Sequence, residues 1–197
     1  MLPTMTTKSL SKLITDLKSV PSPVFYIFAA VALFSAFFVQ GFSLSSVFTA
    51  LFLLLLVACA SADINKGIVP DLLIILIAVL GVISFTVVEG FTAQGFINHL
   101  IAAVSVSVPM LVLALIIKGA FGGGDIKLVA AAGLYLGLSL VITGSLVGFL
   151  LSGIYGIYLL LFKKAKAKFR IKLAPFLAYG LAVAALFGDV IVVMFFS

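Results

Sequence analysis

The stretch SVPSPVFYIFAAVALFSAFFVQGFSLSSVFTALFLLLLVACASA, residues 19–62, has no charged side chain at any of its 44 positions. A helix needs about 20 apolar residues to cross the roughly 30 Å of hydrocarbon in a bilayer. The stretch is therefore long enough for two membrane-spanning helices. A glycine and polar side chains at residues 40–43 favour a turn between them. We predict the two helices at about 23–40 and 44–62.

The composition of the whole chain agrees with a membrane protein. Of its 197 residues, 64% are hydrophobic and 9% are charged, whereas soluble domains have about 45–50% and about 25%. Even a 150-residue soluble domain hides only about 70% of the surface that its unfolded chain exposes, so no soluble fold of this size can bury so much apolar surface. The single cysteine excludes a disulfide scaffold. We predict an all-α, polytopic membrane helix bundle.

The apolar stretches after residue 62 predict further spans. Polar loops are expected at 63–71 and, in a glycine-rich segment, at 119–124. Between and after these loops, we predict helices at about 72–88, 97–117 and 175–196.

The 35 uncharged residues 128–162 are too many for one span, because a single helix would measure about 52 Å. Turn residues at 137–139 and at 143–144 allow two helices instead. Two helices give the chain seven spans and place all twelve lysines and arginines on one side, whereas a single helix would divide them. Basic residues favour the cytoplasmic side of a membrane. We therefore predict about seven spans, with a cytoplasmic N-terminal tail at 1–22 and a membrane domain at 23–197.

Three of the six carboxylates fall beside helix ends on the predicted cytoplasmic face, namely Asp63, Asp71 and Asp125. Ionisable groups near membrane helices are costly and often functional. Asp71 follows Pro70, and a proline followed by an acidic residue is ordinary chemistry for a helix start. Asp125 is also open to an N-cap role, but capping does not require the three glycines that precede it. Asp63 lies at a helix C-terminus, where the helix dipole disfavours its charge.

The segment before Asp125 and the positions of the two carboxylates indicate acid–base chemistry. Gly122, Gly123 and Gly124 leave the backbone bare, so another chain can approach it closely. The helix start favours the ionised form of Asp125, and the helix end favours the protonated form of Asp63. Aspartic proteases use such a pair: the ionised carboxylate takes a proton from water, and the other carboxyl group polarises the scissile carbonyl. This chemistry requires no metal, no cofactor and no covalent intermediate.

Three segments carry a family resemblance. The segment GGGDIKLVAAAGLYLG, residues 122–137, resembles the GxGD segment of the type IV prepilin peptidases. These are membrane aspartic proteases that also include the archaeal preflagellin peptidases. The segment DINKGIVPD, residues 63–71, is similar to the first-aspartate segment of that family, and APFLAYG, residues 174–180, resembles its weaker third motif. The resemblance extends from about residue 23 to the C-terminus.

The resemblance implies a catalytic pair, Asp63 and Asp125. It also implies motif or substrate-approach positions at Gly122, Gly123, Gly124, Lys127, Pro70 and Asp71. The family cleaves the short basic leader of prepilin-like precursors at the cytoplasmic face of a prokaryotic cell membrane. The expected partners are such precursors and membrane lipids, and no nucleic acid. Members that carry a methyltransferase domain have paired CxxC motifs, and because this chain has one cysteine, it resembles the peptidase-only form.

Several other residues have alternative interpretations. Lys127, in the first turn of a predicted helix, can hold Asp125 ionised, contact substrate or snorkel to the lipid headgroups. The basic run 163–172 is expected to contact anionic lipids. His99 lies near the predicted outer face without an evident partner, and Cys59 is expected in the core.

Other function classes fit this sequence less well. A presenilin-like protease also carries GxGD, but the residues before Asp63 and after Pro175 differ from the pattern of that class. A proton- or ion-coupled transporter would use membrane carboxylates, yet transporter sites usually lie near the bilayer midplane on broken helices. A scaffold subunit has no need of paired aspartates beside a glycine-rich segment. The transporter is the main alternative to the leader peptidase.

Overall fold

The computed structural model describes residues 23–117, 119–162, 172–188 and 190. These residues form helices and short connections, with no β-strand among them. The predicted tail at 1–22 and all of the basic run 163–172 except Lys172 lie outside the described residues.

The described residues contain eight α-helices: α1 (Pro23–Gln40), α2 (Leu44–Lys66), α3 (Asp71–Ser84), α4 (Ala93–Ser105), α5 (Ser107–Ile116), α6 (Gly123–Leu136), α7 (Leu138–Phe162) and α8 (Ala174–Leu186). A π-helical turn, Phe85–Gly90, continues α3. The interruption between α4 and α5 falls just before Pro109, which has no N–H to donate to the carbonyl of Ser105.

Four helical stretches of the described chain are long and apolar enough to cross a membrane: Leu44–Lys66, Asp71–Gly90, Ala93–Ile116 and Leu138–Phe162. The prediction of an all-α bundle with membrane-spanning helices is therefore confirmed. Two shorter apolar helices, Tyr26–Gln40 and Ala174–Leu186, accompany them. The count of seven spans and the cytoplasmic position of the N-terminus stay predictions.

The long uncharged stretch 128–162 is divided at Gly137. This glycine has a φ of 75°, a left-handed conformation that side chains other than that of glycine rarely adopt. Helix α6 ends immediately before it and α7 begins immediately after it. The prediction of two helices is confirmed, and the first of them, α6, begins at Gly123.

Helix α2 is longer than predicted, and its extension changes the setting of Asp63. The helix continues to Lys66 instead of ending near residue 62. It ends at Gly67, which has a φ of 68° and whose N–H donates to the carbonyl oxygen of Asp63 at 2.8 Å. The predicted loop 63–71 is therefore reduced to residues 67–70, and Asp63 lies within the last helical turn.

Small residues allow α6 and α8 to pack closely against their neighbours. A Cβ atom on Gly133 of α6 would lie 2.7 Å from the backbone of Ala102 in α4. A Cβ atom on Gly148 of α7 would lie 2.9 Å from the Cα atom of Leu177 in α8. Backbones in contact at this distance tolerate no side chain, so these glycines hold both helices in place within the chain.

Candidate active site

Asp63 lies in the last turn of α2, and its side chain is buried. The residue is 7% exposed. The backbone N–H of Ala174, the first residue of α8, donates to its carboxyl group. The other carboxyl oxygen, Oδ2, is buried and has no hydrogen-bond partner among the described residues. One oxygen is therefore available to a reactant.

Asp125 is the third residue of α6. Its carboxyl group folds back and accepts a hydrogen bond from the backbone N–H of Gly122, which is one half of a capping box. Gly122 itself holds the N-cap position, so the alternative in which Asp125 is the N-cap is wrong. The Oδ1 atom of Asp125 is buried without a hydrogen-bond partner among the described residues.

The contact between α2 and α6 and the charge interaction between the two aspartates place Asp63 and Asp125 at the same end of this helix pair. The ring of Phe52 on α2 stacks on that of Tyr135 on α6, with centroids 4.1 Å apart. Asp63 lies about 16 Å further along α2 than Phe52, and Asp125 lies about 15 Å before Tyr135 on α6, at 1.5 Å per residue. The matched offsets bring Asp63 opposite Asp125.

The electrostatics of Asp125 agree with this register. Burial and, to a smaller extent, the negative charge of Asp63 raise its pKa to about 6, while the N–H of Gly122 acts in the opposite direction. The two carboxyl groups are thus close enough to influence each other's ionisation. Burial opposes the ionised form of Asp125, which the helix start alone was expected to favour.

Two of the three motif glycines have close neighbours. A Cβ atom on Gly122 would lie 2.8 Å from Oδ2 of Asp125, and one on Gly124 would lie 3.0 Å from the Cβ atom of Val69. A Cβ atom on Gly123 would meet nothing within 4 Å. Gly122 makes room for the carboxyl group of Asp125, and Gly124 lets the loop before α3 lie against the start of α6.

Lys127 has a partner that the sequence interpretation did not consider. Its Nζ donates to Oδ1 of Asp71 at 2.7 Å. Pro70 holds the N-cap position of α3, and Asp71 is the first residue of that helix, as predicted. Both members of the pair are exposed, with side-chain exposures of 59% and 70%. Exposed pairs of this kind contribute about 0–1 kcal/mol, so the pair orients the two segments more than it stabilises the fold.

Lys172 and Ala174 also lie beside Asp63, which the sequence interpretation did not predict. The Nζ of Lys172 donates to the carbonyl oxygen of Ile64, and its charge acts on Asp63. The sequence assigned Lys172 to a lipid-binding run. The third motif, which begins at Ala174, was the available signal that this part of the chain reaches the site.

At the opposite end of the bundle, His99 has partners, so the expectation that it has none is wrong. Its Nδ1 lies 2.8 Å from the carbonyl oxygen of Leu134 in the last turns of α6. Its Nε2 lies 3.6 Å from Oε2 of Glu89. His99 therefore anchors the end of α6 that is remote from Asp125. Cys59 is fully buried in the core, as predicted.

The part of the chain that the structure describes holds no group of three histidine, cysteine, aspartate or glutamate side chains arranged to bind a metal ion. The reactive groups that it does assemble are the two carboxyl groups, two backbone N–H donors and one ammonium group. Such a set can transfer protons to and from a polar substrate.

Comparisons with known proteins place this site in context. The model of the type IV leader peptidase family matches residues 49–157. The chain is similar to the prepilin leader peptidase/N-methyltransferase of Bacillus subtilis (strain 168), with 28% identity over 156 residues. That match covers 77% of the chain and 60% of the relative, so the chain spans less than two thirds of the relative's length. No solved structure matches the chain significantly.

Proposed function

The chain belongs to the type IV leader peptidase family, and on this premise we propose that it is a membrane aspartic endopeptidase that removes the leader peptide from prepilin-like precursors. The observation that carries the proposal is that Asp63 lies near enough for its charge to act on Asp125, and that each has a buried carboxyl oxygen without a hydrogen-bond partner among the described residues. The family match supports it, because residues 49–157 include both aspartates. The substrate class follows the name of the Bacillus subtilis relative.

The proposed reaction begins with one carboxylate and one carboxylic acid. The carboxylate removes a proton from a water molecule while the water oxygen bonds to the scissile carbonyl carbon. The carboxylic acid gives its proton to the carbonyl oxygen in the same step. The product is a gem-diol, and the two aspartates have exchanged their protonation states.

Breakdown of the gem-diol completes the hydrolysis. The newly protonated carboxyl group gives its proton to the leaving nitrogen, and the other aspartate takes a proton back from one hydroxyl group. The C–N bond breaks as the carbonyl re-forms, which releases a carboxylic acid and an amine. The pair returns to its starting charge, and no covalent bond forms between enzyme and substrate.

The position of the carboxyl groups favours the peptidase over a transporter. Asp63 lies at the end of α2, and Asp125 lies at the start of α6. A transporter site is expected near the bilayer midplane on broken helices, whereas an enzyme that cuts beside a membrane segment needs its reactive groups at helix ends. The site therefore suits a peptide bond that reaches the membrane surface.

The distribution of charge supports a cytoplasmic orientation for this end of the bundle. Lys66, Lys127 and Lys172 lie at the helix ends beside the site, and Glu89 and His99 lie at the opposite end. Basic residues favour the cytoplasmic side. The proposal therefore includes cleavage at the cytoplasmic face of a prokaryotic cell membrane, where anionic lipids would surround the protein.

Replacement of either aspartate tests the function. Asp63→Asn and Asp125→Asn keep the shape of the side chain and remove its acid–base chemistry. We expect each to lower the cleavage rate of a detergent-solubilised prepilin precursor by at least about 100-fold. Mass spectrometry of the product identifies the cleaved bond. Glu89→Gln, which makes the same charge change at the opposite end of the bundle, is the matched control and retains cleavage. Normal cleavage by either aspartate variant contradicts the proposal.

A further inference from the structure

The two aspartates have different neighbours. Both carboxyl groups accept a backbone N–H, from Ala174 in the case of Asp63 and from Gly122 in the case of Asp125. The charge of Lys172 acts on Asp63, whereas the charged group that acts on Asp125 is Asp63 itself. Burial opposes the ionised form of both carboxyl groups, and the nearby cation is one difference between them.

Lys172 also acts on the helix end that carries Asp63. Its Nζ donates a hydrogen bond to the carbonyl oxygen of Ile64. Ile64 is one of the last four residues of α2. The carbonyl groups of the last four residues of a helix have no donor within the helix, and in α2 the carbonyl of Asp63 accepts instead from the N–H of Gly67. A cation at this position offsets the partial negative charge of the helix end. The dipole penalty on an ionised Asp63 is therefore reduced by the same residue that attracts its charge.

The remaining described charges at this end do not provide an equivalent cation for Asp125. Lys127 is on the same helix as Asp125, but its ammonium group is paired with Asp71 at 2.7 Å. Lys66 is exposed in the last turn of α2, the helix of Asp63. Among the described charges, the cation that acts on one carboxyl group of the pair is Lys172, and it acts on Asp63.

We propose that Lys172 is a positioning residue that keeps Asp63 ionised, so that Asp63 is the base of the reaction and Asp125 is the acid. This inference rests on the proposed peptidase function. Asp63 takes the proton from water as the water oxygen bonds to the carbonyl carbon, and Asp125 gives its proton to the carbonyl oxygen. The assignment reverses the one that the helix ends alone predict, because a full positive charge exceeds the roughly half charge of a helix end.

The test changes the charge of residue 172 within one purified variant. Lys172→Cys in the full chain is alkylated with 2-bromoethylamine, which restores a cationic side chain of lysine-like length, or with iodoacetamide, which leaves a neutral one. Cys59 is fully buried, so the reagents select residue 172. The values of kcat and KM for a prepilin precursor are then measured from about pH 5 to about pH 9.

We expect the neutral adduct to shift the acid limb of the kcat profile to higher pH by about 0.5–1 unit, because the singly ionised pair has lost a stabilising cation. The cationic adduct and Lys172→Arg retain the limb of the unmodified chain. A neutral adduct that is slower but has an unmoved limb overturns the proposal, since a purely structural role lowers the rate without changing ionisation.

Lys66→Cys, treated with the same two reagents, is the matched control. We expect the neutral adduct at residue 66 to shift the acid limb by less than the one at residue 172. An equal shift overturns the proposal, because the acid limb would then depend on the net charge of the protein and not on the position of Lys172. Because both adducts at residue 172 come from one folded preparation, misfolding affects them equally. Absence of cleavage by the unmodified chain at every pH contradicts the peptidase function itself, whereas normal cleavage with unmoved limbs contradicts only the role of Lys172.

Discussion

The ammonium group of Lys127 lies 2.7 Å from Oδ1 of Asp71, and this ion pair joins the two segments that carry the aspartates. Asp71 begins α3, eight residues after Asp63, and Lys127 follows Asp125 by two residues on α6. The pair therefore links the connection that leaves Asp63 to the helix that begins with Asp125, outside the buried carboxyl groups themselves.

The contribution of this pair can be measured with a charge exchange. Because both side chains are exposed, their interaction is expected to contribute about 0.2–1 kcal/mol. Asp71→Lys and Lys127→Asp alone should therefore lower the cleavage rate only several-fold, and the double exchange should recover part of the loss. A loss above about 100-fold in one single variant, with no recovery in the double variant, would show that the residue acts directly on the substrate.

The contact between Gly124 and Val69 predicts a specific rescue. An added Cβ atom at residue 124 would lie 3.0 Å from the Cβ atom of Val69, and overpacking of this kind costs about 1–3 kcal/mol. Gly124→Ala should therefore reduce the cleavage rate about 10-fold, and Val69→Ala in the same chain should restore most of it.

Gly123→Ala is the matched comparison for that experiment, because a Cβ atom there would meet nothing within 4 Å. We expect a smaller loss of cleavage than for Gly124→Ala. Equal losses at residues 123 and 124, together with failure of Val69→Ala to rescue, would show that the contact with Val69 is not the reason for the glycine.

The raised pKa of Asp125 predicts how stability depends on pH. Its ordinary pKa of 3.8 applies to the unfolded chain, and burial together with the charge of Asp63 raises the folded value to about 6. The folded state binds the proton more tightly, so its stability falls as pH rises from about 4 to about 6. Asp125→Asn removes this dependence. Its Tm in detergent should exceed that of the unsubstituted chain near neutral pH and equal it near pH 4. A constant difference in Tm across this range contradicts the prediction.

The packing of α7 against α8 predicts a strong effect far from the carboxyl groups. A Cβ atom on Gly180 would overlap the carbonyl oxygen of Gly144 and lie 2.6 Å from the backbone nitrogen of Gly148. Gly180→Ala should therefore separate the two helices and lower the Tm by several degrees. It should also reduce cleavage, since α8 begins with Ala174. Gly153→Ala, on an open face of α7, should leave both quantities close to their original values.

The regular features of the fold were accessible from the sequence because they depend on local composition. Uncharged stretches indicated the helices, and Gly137 marked the division of the longest one. Helix ends were less predictable. Helix α2 continues past Asp63 to Lys66 because Gly67 adopts the left-handed conformation that closes it. A glycine just after a helix commonly ends it. Gly67, however, lies within residues 63–71, which the sequence alone predicted to be a polar loop.

The candidate residues were also accessible, but their partners were not. Spacing and glycine content singled out Asp63 and Asp125. The partners of Lys127 and His99 lie on other helices, so they depend on how the helices pack. The local sequence therefore left three roles open for Lys127 and suggested no partner for His99.

The sequence by itself determined the class of protein and singled out the two aspartates as candidates, because hydrophobicity, charge and motif spacing are properties of the unfolded chain as much as of the folded one. Only the tertiary structure decided which aspartate has a cation beside it. Lys172 is 108 residues from the carbonyl of Ile64 that it binds, and the packing of α8 against α2 brings them together. Such a contact, between residues far apart in the sequence, cannot be read from local sequence. The helix ends alone predict that Asp125 is the ionised carboxyl group, whereas the contact of Lys172 favours ionised Asp63.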